Sequence, residues 1–428
     1  MNFRKIVKRL IPSGLFAKIE PFGHLIESVF FNAINGFPAR GLKVIGITGT
    51  NGKTTTAFMV HKMLHNAGYK VGLMTTVAYG AGDDIKPQVY HMTNVPVPEL
   101  MRRLKYLKGQ GIEWLVLEAT SQALAQNRLW GINFEVVAMT NISQDHLDYH
   151  KTMDNYVAAK VKLFDLANRN SSGLRTGVIN ADDTTAGQFS SVTDKPVSYG
   201  IKKGDIQAKN IHLSAAGVKY RAVIGKDGYQ INCHLPGKFN VYNSLAAVAI
   251  GRVLGLGKHT IELGIAALDG VEGRMTAIKA GQEFNVIVDF AHTADALQNV
   301  LTASKELTAG NLILVFGATG DRDKSKRPIM GKIAVEGADQ LYLTDDETYT
   351  EDPQAIIQNV FKGIEAAGGQ DKTTVIGDRL MAIKAAFAAA KPGDTVLLTG
   401  IGHETTRNMG GKEEPWNEIE IAYNLLTK

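Results

Sequence analysis

Short apolar runs alternate with helical patterns over most of the chain. An apolar run at 44–47 is followed by five apolar residues that share one helical face, namely Met59, Val60, Met63, Leu64 and Ala67. Further runs of strand length lie at 114–117 and 134–139, and residues 205–235 alternate as strands with glycine turns. This order predicts an α/β domain with a central parallel sheet and a small antiparallel excursion.

The alternation begins again near residue 275. Five more strand-length runs, separated by helical patterns, lie at 286–289, 312–316, 341–344, 374–376 and 396–399. They predict a second, Rossmann-like α/β domain that lacks the G-x-G-x-x-G loop. We therefore expect a short helical leader at 1–41, a central domain at 42–275 and a C-terminal domain at 276–428.

The leader has one apolar helical face and a basic beginning. The face consists of Leu25, Ile26, Val29, Phe30, Ala33 and Ile34, and the basic residues are Arg4, Lys5, Lys8 and Arg9. Two interpretations are open: a helix packed on the next domain, or a basic amphipathic element that contacts a membrane surface or a lipid-linked substrate. Glu20 and Glu27 dilute the charge and favour the first. Pro12 and Pro21 interrupt the segment, so we expect no signal peptide and a cytoplasmic protein.

Composition narrows the class of protein. With 428 residues, the chain is long enough for two or three domains that each bury a core. A net charge of +5 suits anionic substrates, and no nucleic-acid-binding motif is present. The single cysteine, Cys233, excludes an internal disulfide and a cysteine metal cluster, and no apolar run is long enough to span a bilayer. We expect a monomer.

The strongest chemical signal is residues 49–56, Gly-Thr-Asn-Gly-Lys-Thr-Thr-Thr, between the first predicted strand and helix. A glycine loop in this position directs backbone N–H groups and a helix N-terminus at phosphate. Lys53 can reach the terminal phosphates, and the Thr54 hydroxyl can bind Mg²⁺. The loop is shorter than the common form, because Ile47 stands in place of its first glycine. It predicts a P-loop-type ATPase domain, against the alternative of a chance glycine turn.

Polar residues follow the next two predicted strands. Glu118 ends one, and the loop at 141–150 after the other contains His146 and several carboxylates. Ligands of open α/β sheets bind beyond the carboxyl ends of strands, so these residues belong beside the glycine loop. A carboxylate there can hold Mg²⁺, although a surface glutamate or a structural histidine would give the same pattern.

Lys160 falls on the apolar face of a helix that begins near Asp154, whereas Lys162 points away from that face. Burial lowers the pKa of a lysine, and an uncharged amine can react with CO₂ to form a carbamate, an anionic metal ligand. A lysine that extends to water is the alternative, and the spacing alone favours it.

A series of motifs resembles the Mur ligase family, which joins amino acids to carboxylates with ATP. The series comprises residues 48–55, 117–124, 141–150, 158–160, 180–183, 237–243, 273–275, 289–297, 320–323, 326–328 and 402–404. It extends from about residue 42 to the C-terminus. The resemblance is greatest to the MurE type, the UDP-N-acetylmuramoyl-tripeptide synthetases, which add the third residue of the peptidoglycan stem.

The resemblance implies roles at matching positions. ATP would be held by Gly49, Thr50, Asn51, Gly52, Lys53, Thr54, Thr55, Asn243 (at adenine), Arg274 and Asp289. One Mg²⁺ would be bound by Thr54 and Glu118, and a second by His146 and a carbamylated Lys160. The acyl acceptor would meet Thr93, Asn94, Thr120 and Arg128, and the incoming amino acid would meet Arg327, Asp346 and Glu404. Catalysis would rest on Lys53, Glu118, His146 and Lys160.

The implied reaction is amide formation through an acyl-phosphate, between a muropeptide-type acceptor and a free amino acid. Two alternatives remain: a related ligase with a non-wall acceptor, such as a polyglutamylating or poly-amino-acid type, and a catalytically inactive nucleotide-dependent binding subunit. The intact Lys53, Glu118, His146 and Lys160 favour an active enzyme.

Three departures from the family pattern bear on the substrates. The leader is too short to form the family's UDP-binding N-terminal domain, so the acceptor is expected to differ from the usual one or to be lipid-linked. Where diaminopimelate-using members have Asp-Asn-Pro-Arg, residues 346–349 read Asp-Glu-Thr-Tyr. Tyr349 thus replaces an arginine that would bind a distal carboxylate, which favours lysine or ornithine. Gln122 and Ile401 stand where the family has histidine and lysine.

Overall fold

The computed structural model describes residues 13–88, 90 and 92–427, with side chains from residue 19 onwards. The basic residues Arg4, Lys5, Lys8 and Arg9 of the predicted leader lie outside the described residues. The helix in the rest of the leader is α1 (Ser13–Ile34). No described helix is both long and apolar enough to cross a membrane.

The first sheet and its helices form what we call the central domain. Its strands are β1 (Lys43–Thr48), β2 (Val71–Met74), β3 (Ala78–Ala81), β4 (Asp84–Pro87), β5 (Trp114–Glu118), β6 (Phe134–Met139), β7 (Thr176–Asn180), β8 (Lys195–Gly200), β9 (Ile206–Ser214), β10 (Gly217–Ile224) and β11 (Asp227–Cys233). Their spatial order is β11-β10-β9-β8-β7-β6-β1-β5-β2-β3-β4. Neighbouring strands pair in parallel along the middle of this order, from β9 to β2. At the two ends, β10 and β11 pair antiparallel next to β9, and β3 and β4 pair antiparallel next to β2.

Helices cover both faces of this sheet. They are α2 (Lys53–Asn66), α3 (Val97–Gly109), α4 (Ser121–Ala125), α5 (Leu147–His150), α6 (Met153–Asn168), α7 (Ala186–Ser190), α8 (Phe239–Val253) and α9 (Lys258–Ala266). Ile45 and Ile47 of β1 belong to the core beneath α2 and α8, whereas Val44 belongs to the core on the opposite face. Both faces of β1 are therefore buried, which explains its unbroken apolar sequence.

The second sheet and its helices form the C-terminal domain. Its strands are β12 (Thr276–Ile278), β13 (Asn285–Asp289), β14 (Leu312–Phe316), β15 (Gln340–Leu343), β16 (Thr373–Val375) and β17 (Thr395–Thr399), in the order β12-β13-β17-β14-β15-β16. The helices are α10 (Ala294–Leu307), α11 (Lys326–Gly337), α12 (Pro353–Ala366), α13 (Arg379–Ala389) and α14 (Glu418–Leu426), and β18 (Thr406–Met409) with β19 (Lys412–Pro415) forms a hairpin.

The predicted α/β architecture is confirmed, including the antiparallel excursion at β9 to β11 and a second sheet that is parallel except where β12 pairs antiparallel with β13. The domain boundaries at 41/42 and 275/276 stay predictions. One expectation about the leader is wrong in orientation. Helix α1 packs on the central domain through His24, Ser28 and Asn32, which are buried, while most of the predicted packing face is exposed.

A buried ion pair holds the end of the C-terminal domain together. The guanidinium of Arg379 donates from Nε to Glu418 Oε2 at 2.9 Å and from Nη2 to Glu418 Oε1 at 2.5 Å, and neither side chain is exposed. Arg379 also donates to the backbone carbonyls of Asp345 and Thr399, which follow or end strands at the cleft described below.

We predict that Arg379→Met lowers the free energy of unfolding of the C-terminal domain by about 3–5 kcal/mol, because Glu418 is left buried without its cation. Urea unfolding measures the change. The matched control is Arg102→Met, which removes an exposed ion pair to Glu99 and should cost no more than about 1 kcal/mol. Equal unfolding midpoints for the two variants would contradict the account.

Candidate active site

A cleft of about 410 Å³ lies where the carboxyl edges of the two sheets face each other. The central domain contributes the residues after β1, β2, β5 and β6, and the C-terminal domain contributes the residues after β13, β14, β15 and β17. Most of the residues implied by the resemblance line this cleft: Thr50, Asn51, Gly52, Lys53, Thr54, Thr55, Thr93, Asn94, Glu118, Thr120, Arg128, His146, Asn243, Arg274, Asp289, Asp346 and Glu404.

The glycine loop between β1 and α2 depends on two close approaches. Gly49 has a φ of 142°, and a Cβ there would lie 1.9 Å from Thr140 Oγ1. Gly52 has a φ of 83°, and a Cβ there would lie 2.1 Å from Asn243 Oδ1. Any other residue would displace the loop, so glycine is required by both conformation and space.

Asn141 fixes the loop from the end of β6. Its backbone carbonyl accepts from Thr50 N at 2.7 Å, and its side-chain Oδ1 accepts from Asn51 N at 2.9 Å. The side-chain amide of Asn141 donates to the Asn51 carbonyl at 3.0 Å. The loop conformation is therefore set by the neighbouring strand as well as by its own glycines.

Lys53, Thr54 and Glu118 meet at the N-terminus of α2. Lys53 Nζ donates to the Thr50 carbonyl at 2.8 Å and lies 3.9 Å from Glu118 Oε1. Thr54 Oγ1 donates to Glu118 Oε2 at 3.0 Å. Burial lowers the pKa of Lys53, and the negative charge of Glu118 opposes that effect.

The two oxygens of Thr54 and Glu118 suit Mg²⁺. No three His, Cys, Asp or Glu side chains converge into a metal cage within the part of the chain that the structure describes. Mg²⁺ at nucleotide sites usually takes only one or two protein oxygens and fills its octahedron with phosphate and water. A hydroxyl and a carboxylate in contact at the edge of a phosphate loop therefore fit this ion.

Lys160 is buried behind the glycine loop. Its Nζ donates to the Gly49 carbonyl at 2.6 Å and lies 4.5 Å from the centre of the Tyr156 ring. Burial, and then the charge of Lys53, lower its pKa well below the ordinary value. The side chain does not extend to water, so the alternative favoured by spacing alone is wrong.

His146 has a φ of 54° and lies close enough to Lys160 for the charge of that amine to contribute to lowering the histidine pKa. Its Nε2 is 3.3 Å from Asp145 Oδ2, and its buried Nδ1 has no hydrogen-bond partner among the described residues. Burial lowers the pKa of His146, which favours the neutral ring that metals bind.

Residues on the acceptor side form one hydrogen-bond network. Asn94 Nδ2 donates to the Glu118 carbonyl at 2.7 Å, and Asn94 Oδ1 accepts from the Thr120 hydroxyl at 2.9 Å. Arg128 Nη1 donates to the Asn94 carbonyl at 2.6 Å. Thr93 Oγ1 lies 2.7 Å from Thr76 Oγ1. All four predicted acceptor residues therefore lie together, next to the carboxylate of Glu118.

Contacts of the C-terminal domain close the cleft. Arg274 Nη2 lies 3.5 Å from Thr54 Oγ1, and Asn51 Nδ2 donates to Asp295 Oδ2 at 2.6 Å. Gln144 donates to Asp323 at 2.8 Å. Asp289 accepts from the backbone N–H groups of Met275 and Ala291, at 2.7 and 2.8 Å.

The three residues predicted to bind the incoming amino acid do not all lie together. Asp346 and Glu404 line the cleft, and burial raises the pKa of Asp346. Arg327, in contrast, is fully buried and binds Glu351 at 2.8 Å and 3.1 Å outside the cleft lining. A substrate role for Arg327 would require it to leave Glu351, so that role stays a prediction.

Sequence reasoning missed two groups at the site. Thr76 donates from its N–H and its hydroxyl to the two oxygens of Glu118, at 3.0 and 3.1 Å. It follows β2, a strand too short to have been predicted. Arg322 lies with its guanidinium 4.8 Å from the Tyr349 ring and donates to the Tyr349 hydroxyl at 3.3 Å. No local pattern joins residues 322 and 349.

Comparison with known proteins agrees with this geometry. A model of the Mur ligase middle domain matches residues 47–251, and a model of the Mur ligase glutamate ligase domain matches residues 273–402. The UDP-N-acetylmuramoyl-L-alanyl-D-glutamate–2,6-diaminopimelate ligase of Bacillus velezensis is 40% identical over 405 residues, which is 94% of this chain and 81% of that protein. The chain belongs to the Mur ligase family. The predicted resemblance to the MurE type is confirmed, and the protein is an ATP-dependent, Mg²⁺-using ligase that forms amide bonds.

Solved Mur ligase structures share the fold. A UDP-N-acetylmuramoyl-L-alanyl-D-glutamate–2,6-diaminopimelate ligase has a TM-score of 0.61 at 32% identity, with 91% of this chain and 79% of that chain covered. The folylpolyglutamate synthase of Mycobacterium tuberculosis, complexed with ADP and AMPPCP, has a TM-score of 0.73 at 18% identity, with 88% and 92% covered. The second likeness concerns the fold alone.

We predict that Gly52→Ala weakens ATP binding by about tenfold or more, because the new Cβ collides with Asn243 and strains the loop. Isothermal titration calorimetry with ATP and Mg²⁺ measures the affinity. The matched control is Gly68→Ala, which has a similar φ of 86° but nothing within 4 Å of the added Cβ. It should keep the affinity for ATP, and an equal loss in both variants would refute a specific role for the loop.

Proposed function

We propose that this ligase uses ATP to activate a carboxylate of a muramoyl-dipeptide acceptor and joins it to the amino group of a diamino acid, the third residue of a peptidoglycan stem peptide. One observation carries the proposal. The phosphate loop, the acceptor network and the amino-acid side of the cleft open onto one another around Glu118 and Lys53. The names of the relatives, ligases that act on UDP-N-acetylmuramoyl-L-alanyl-D-glutamate and 2,6-diaminopimelate, supply the substrate class.

The main barrier to the reaction is the electrostatic repulsion between the acceptor carboxylate and the anionic triphosphate. The residues of the loop reduce this repulsion. Lys53 and the backbone N–H groups of residues 52–54 would hold the phosphates, and Arg274 adds positive charge from the C-terminal domain. These groups are fixed and largely buried, so their charge acts in a medium of low dielectric. They therefore stabilise the charge of the transition state more strongly than they would in water.

Two Mg²⁺ ions are part of the proposal. Thr54 and Glu118 would hold one, and His146 with a carbamylated Lys160 would hold the other. Such ions offset negative charge on the transferred phosphoryl group. The support for the second site is the buried amine of Lys160, whose pKa burial lowers well below its ordinary value, together with the Nδ1 of His146, which has no hydrogen-bond partner among the described residues.

Water must be kept from the acyl-phosphate until the amine attacks. The contacts from Asn51 to Asp295 and from Gln144 to Asp323 join the two domains over the cleft. We propose that these contacts persist while both substrates are bound, since a closed cleft excludes water and positions the amine. Because ATP is the phosphoryl donor, we place the reaction in the cytoplasm.

We predict that Lys160→Ala lowers the rate of ATP-dependent ligation by about 100-fold or more and that millimolar formate or acetate partly restores it, because a small carboxylate can replace the carbamate. Phosphate release measures the rate. Lys162→Ala on the exposed side of α6 is the matched control and should keep the wild-type rate. If Lys160→Ala loses activity and carboxylates do not restore it, the lysine has a structural role. If Lys160→Ala keeps full activity, the lysine takes no part in the mechanism.

The identity of the incoming amino acid depends on the residues around Tyr349. We propose a diamino acid with a cationic distal end and no distal carboxylate, such as lysine or ornithine, because Tyr349 and Glu347 stand where the usual arginine and asparagine would be. Arg322 on the Tyr349 ring is the group that would bind a distal carboxylate if diaminopimelate were the substrate.

We predict that phosphate release requires both a muramoyl-dipeptide acceptor and the amino acid, and that lysine or ornithine supports it better than diaminopimelate. Mass spectrometry of the ligated product identifies both partners. A preference for diaminopimelate that Arg322→Met abolishes would overturn the lysine hypothesis and assign the distal carboxylate to Arg322. Turnover with glutamate and a non-wall acceptor would favour the polyglutamylating alternative, and ATP binding without any product would favour an inactive binding subunit.

A further inference from the structure

Helix α1 is attached to the central domain by its polar side, together with the partly buried Phe31. Ser28 Oγ donates to the Asn127 carbonyl at 3.1 Å, and Asn32 Nδ2 donates to the Trp130 carbonyl at 3.1 Å. Asn127 Nδ2 in turn donates to the Pro21 carbonyl at 3.3 Å. An amphipathic helix on a globular domain usually buries its apolar side instead.

The opposite side of α1 is an exposed apolar surface. We call it the α1 stripe, and it consists of Ile19, Phe22, Ile26, Val29, Phe30 and Ile34. Phe22 is 67% exposed and Ile26 is 70% exposed. The stripe extends over about 22 Å of helix at 1.5 Å per residue. A contiguous apolar surface of this length, next to a polar side that is already bonded, indicates a site of contact with another apolar phase.

Basic residues precede the stripe in sequence and lie on a helix that packs against α1. The twelve residues before α1 include Arg4, Lys5, Lys8 and Arg9 and no acidic residue. Helix α3, which packs against α1, exposes Lys105 and Lys108.

The acidic residues of α1 lie towards its attached side. Glu20 and Glu27 are 3.9 Å and 3.4 Å from the ring of His24, which is itself buried against the domain. Their negative charge is therefore drawn away from the stripe, whose six members are all uncharged.

We infer that the α1 stripe docks on the surface of an anionic lipid bilayer, with the apolar side chains at the level of the acyl boundary and the basic residues among the headgroups. The charge selects this occupant over a second copy of the chain, because a symmetric dimer would bring two sets of like charges together. Asn127, which holds α1, precedes Arg128 of the cleft lining, so the attached side of α1 lies near the acceptor end of the cleft.

Co-sedimentation of the full chain with vesicles tests the inference. One set of vesicles contains phosphatidylcholine alone, and the other contains phosphatidylcholine with phosphatidylglycerol. We expect binding to the second set that weakens as salt is added, because the headgroup attraction is screened. Phe22→Ser/Ile26→Ser should reduce binding by about tenfold or more, since each side chain loses its apolar burial.

The matched control is Leu263→Ser/Met381→Ser, which removes two apolar side chains of comparable exposure, 52% each, away from α1. It should bind vesicles like the wild type. Failure of the wild type to bind phosphatidylglycerol vesicles, or equal binding by both double variants, would overturn the proposal. A dimer in analytical ultracentrifugation that only Phe22→Ser/Ile26→Ser dissociates would assign the stripe to a second copy instead. ATP turnover without lipid serves as the folding control and should be unchanged in both variants.

Discussion

The close approach of the glycine loop to the ends of its neighbouring elements determines the rest of the site. Gly49 lies against Thr140 and Gly52 lies against Asn243, at separations that leave no room for a Cβ. This contact directs the N-terminus of α2 into the cleft and brings Lys53 and Thr54 to Glu118. If the loop moved outward by the width of one methyl group, the lysine, the hydroxyl and the carboxylate would no longer converge on one phosphate position.

The convergence of these side chains on Glu118 affects the pKa values of the basic groups at the site. Lys160 is buried near Glu118, Lys53 and Arg274 are half-buried there, and this burial lowers the pKa of each basic group. The site therefore stores basic groups in a medium that disfavours their charge. A bound anion would relieve this cost, so the arrangement favours phosphate and carboxylate over neutral groups.

Much of the fold and of the candidate site could be predicted from the sequence, because the sequence patterns that indicate them are local. The loop at 49–56, Glu118 at the end of β5 and the position of Lys160 on the apolar face of α6 each depend on neighbours within a few positions. The burial of Lys160 does not, because spacing alone favoured a side chain that extends to water. The groups that were missed depend on long-range contacts instead. Thr76 reaches Glu118 from a four-residue strand, and Arg322 reaches Tyr349 across two loops. The predicted orientation of α1 was wrong for a similar reason. Its apolar periodicity is clear, but the polar partners at Asn127 and Trp130 that hold it the other way round are about 100 residues distant in sequence.

A crystal structure with Mg²⁺ and a non-hydrolysable ATP analogue tests the central claim most directly. The account places the terminal phosphates on the backbone N–H groups of residues 52–54, within hydrogen-bond distance of Lys53 Nζ, and one Mg²⁺ between Thr54 and Glu118. A nucleotide bound elsewhere in the cleft, with Lys53 still donating to the Thr50 carbonyl, would contradict it.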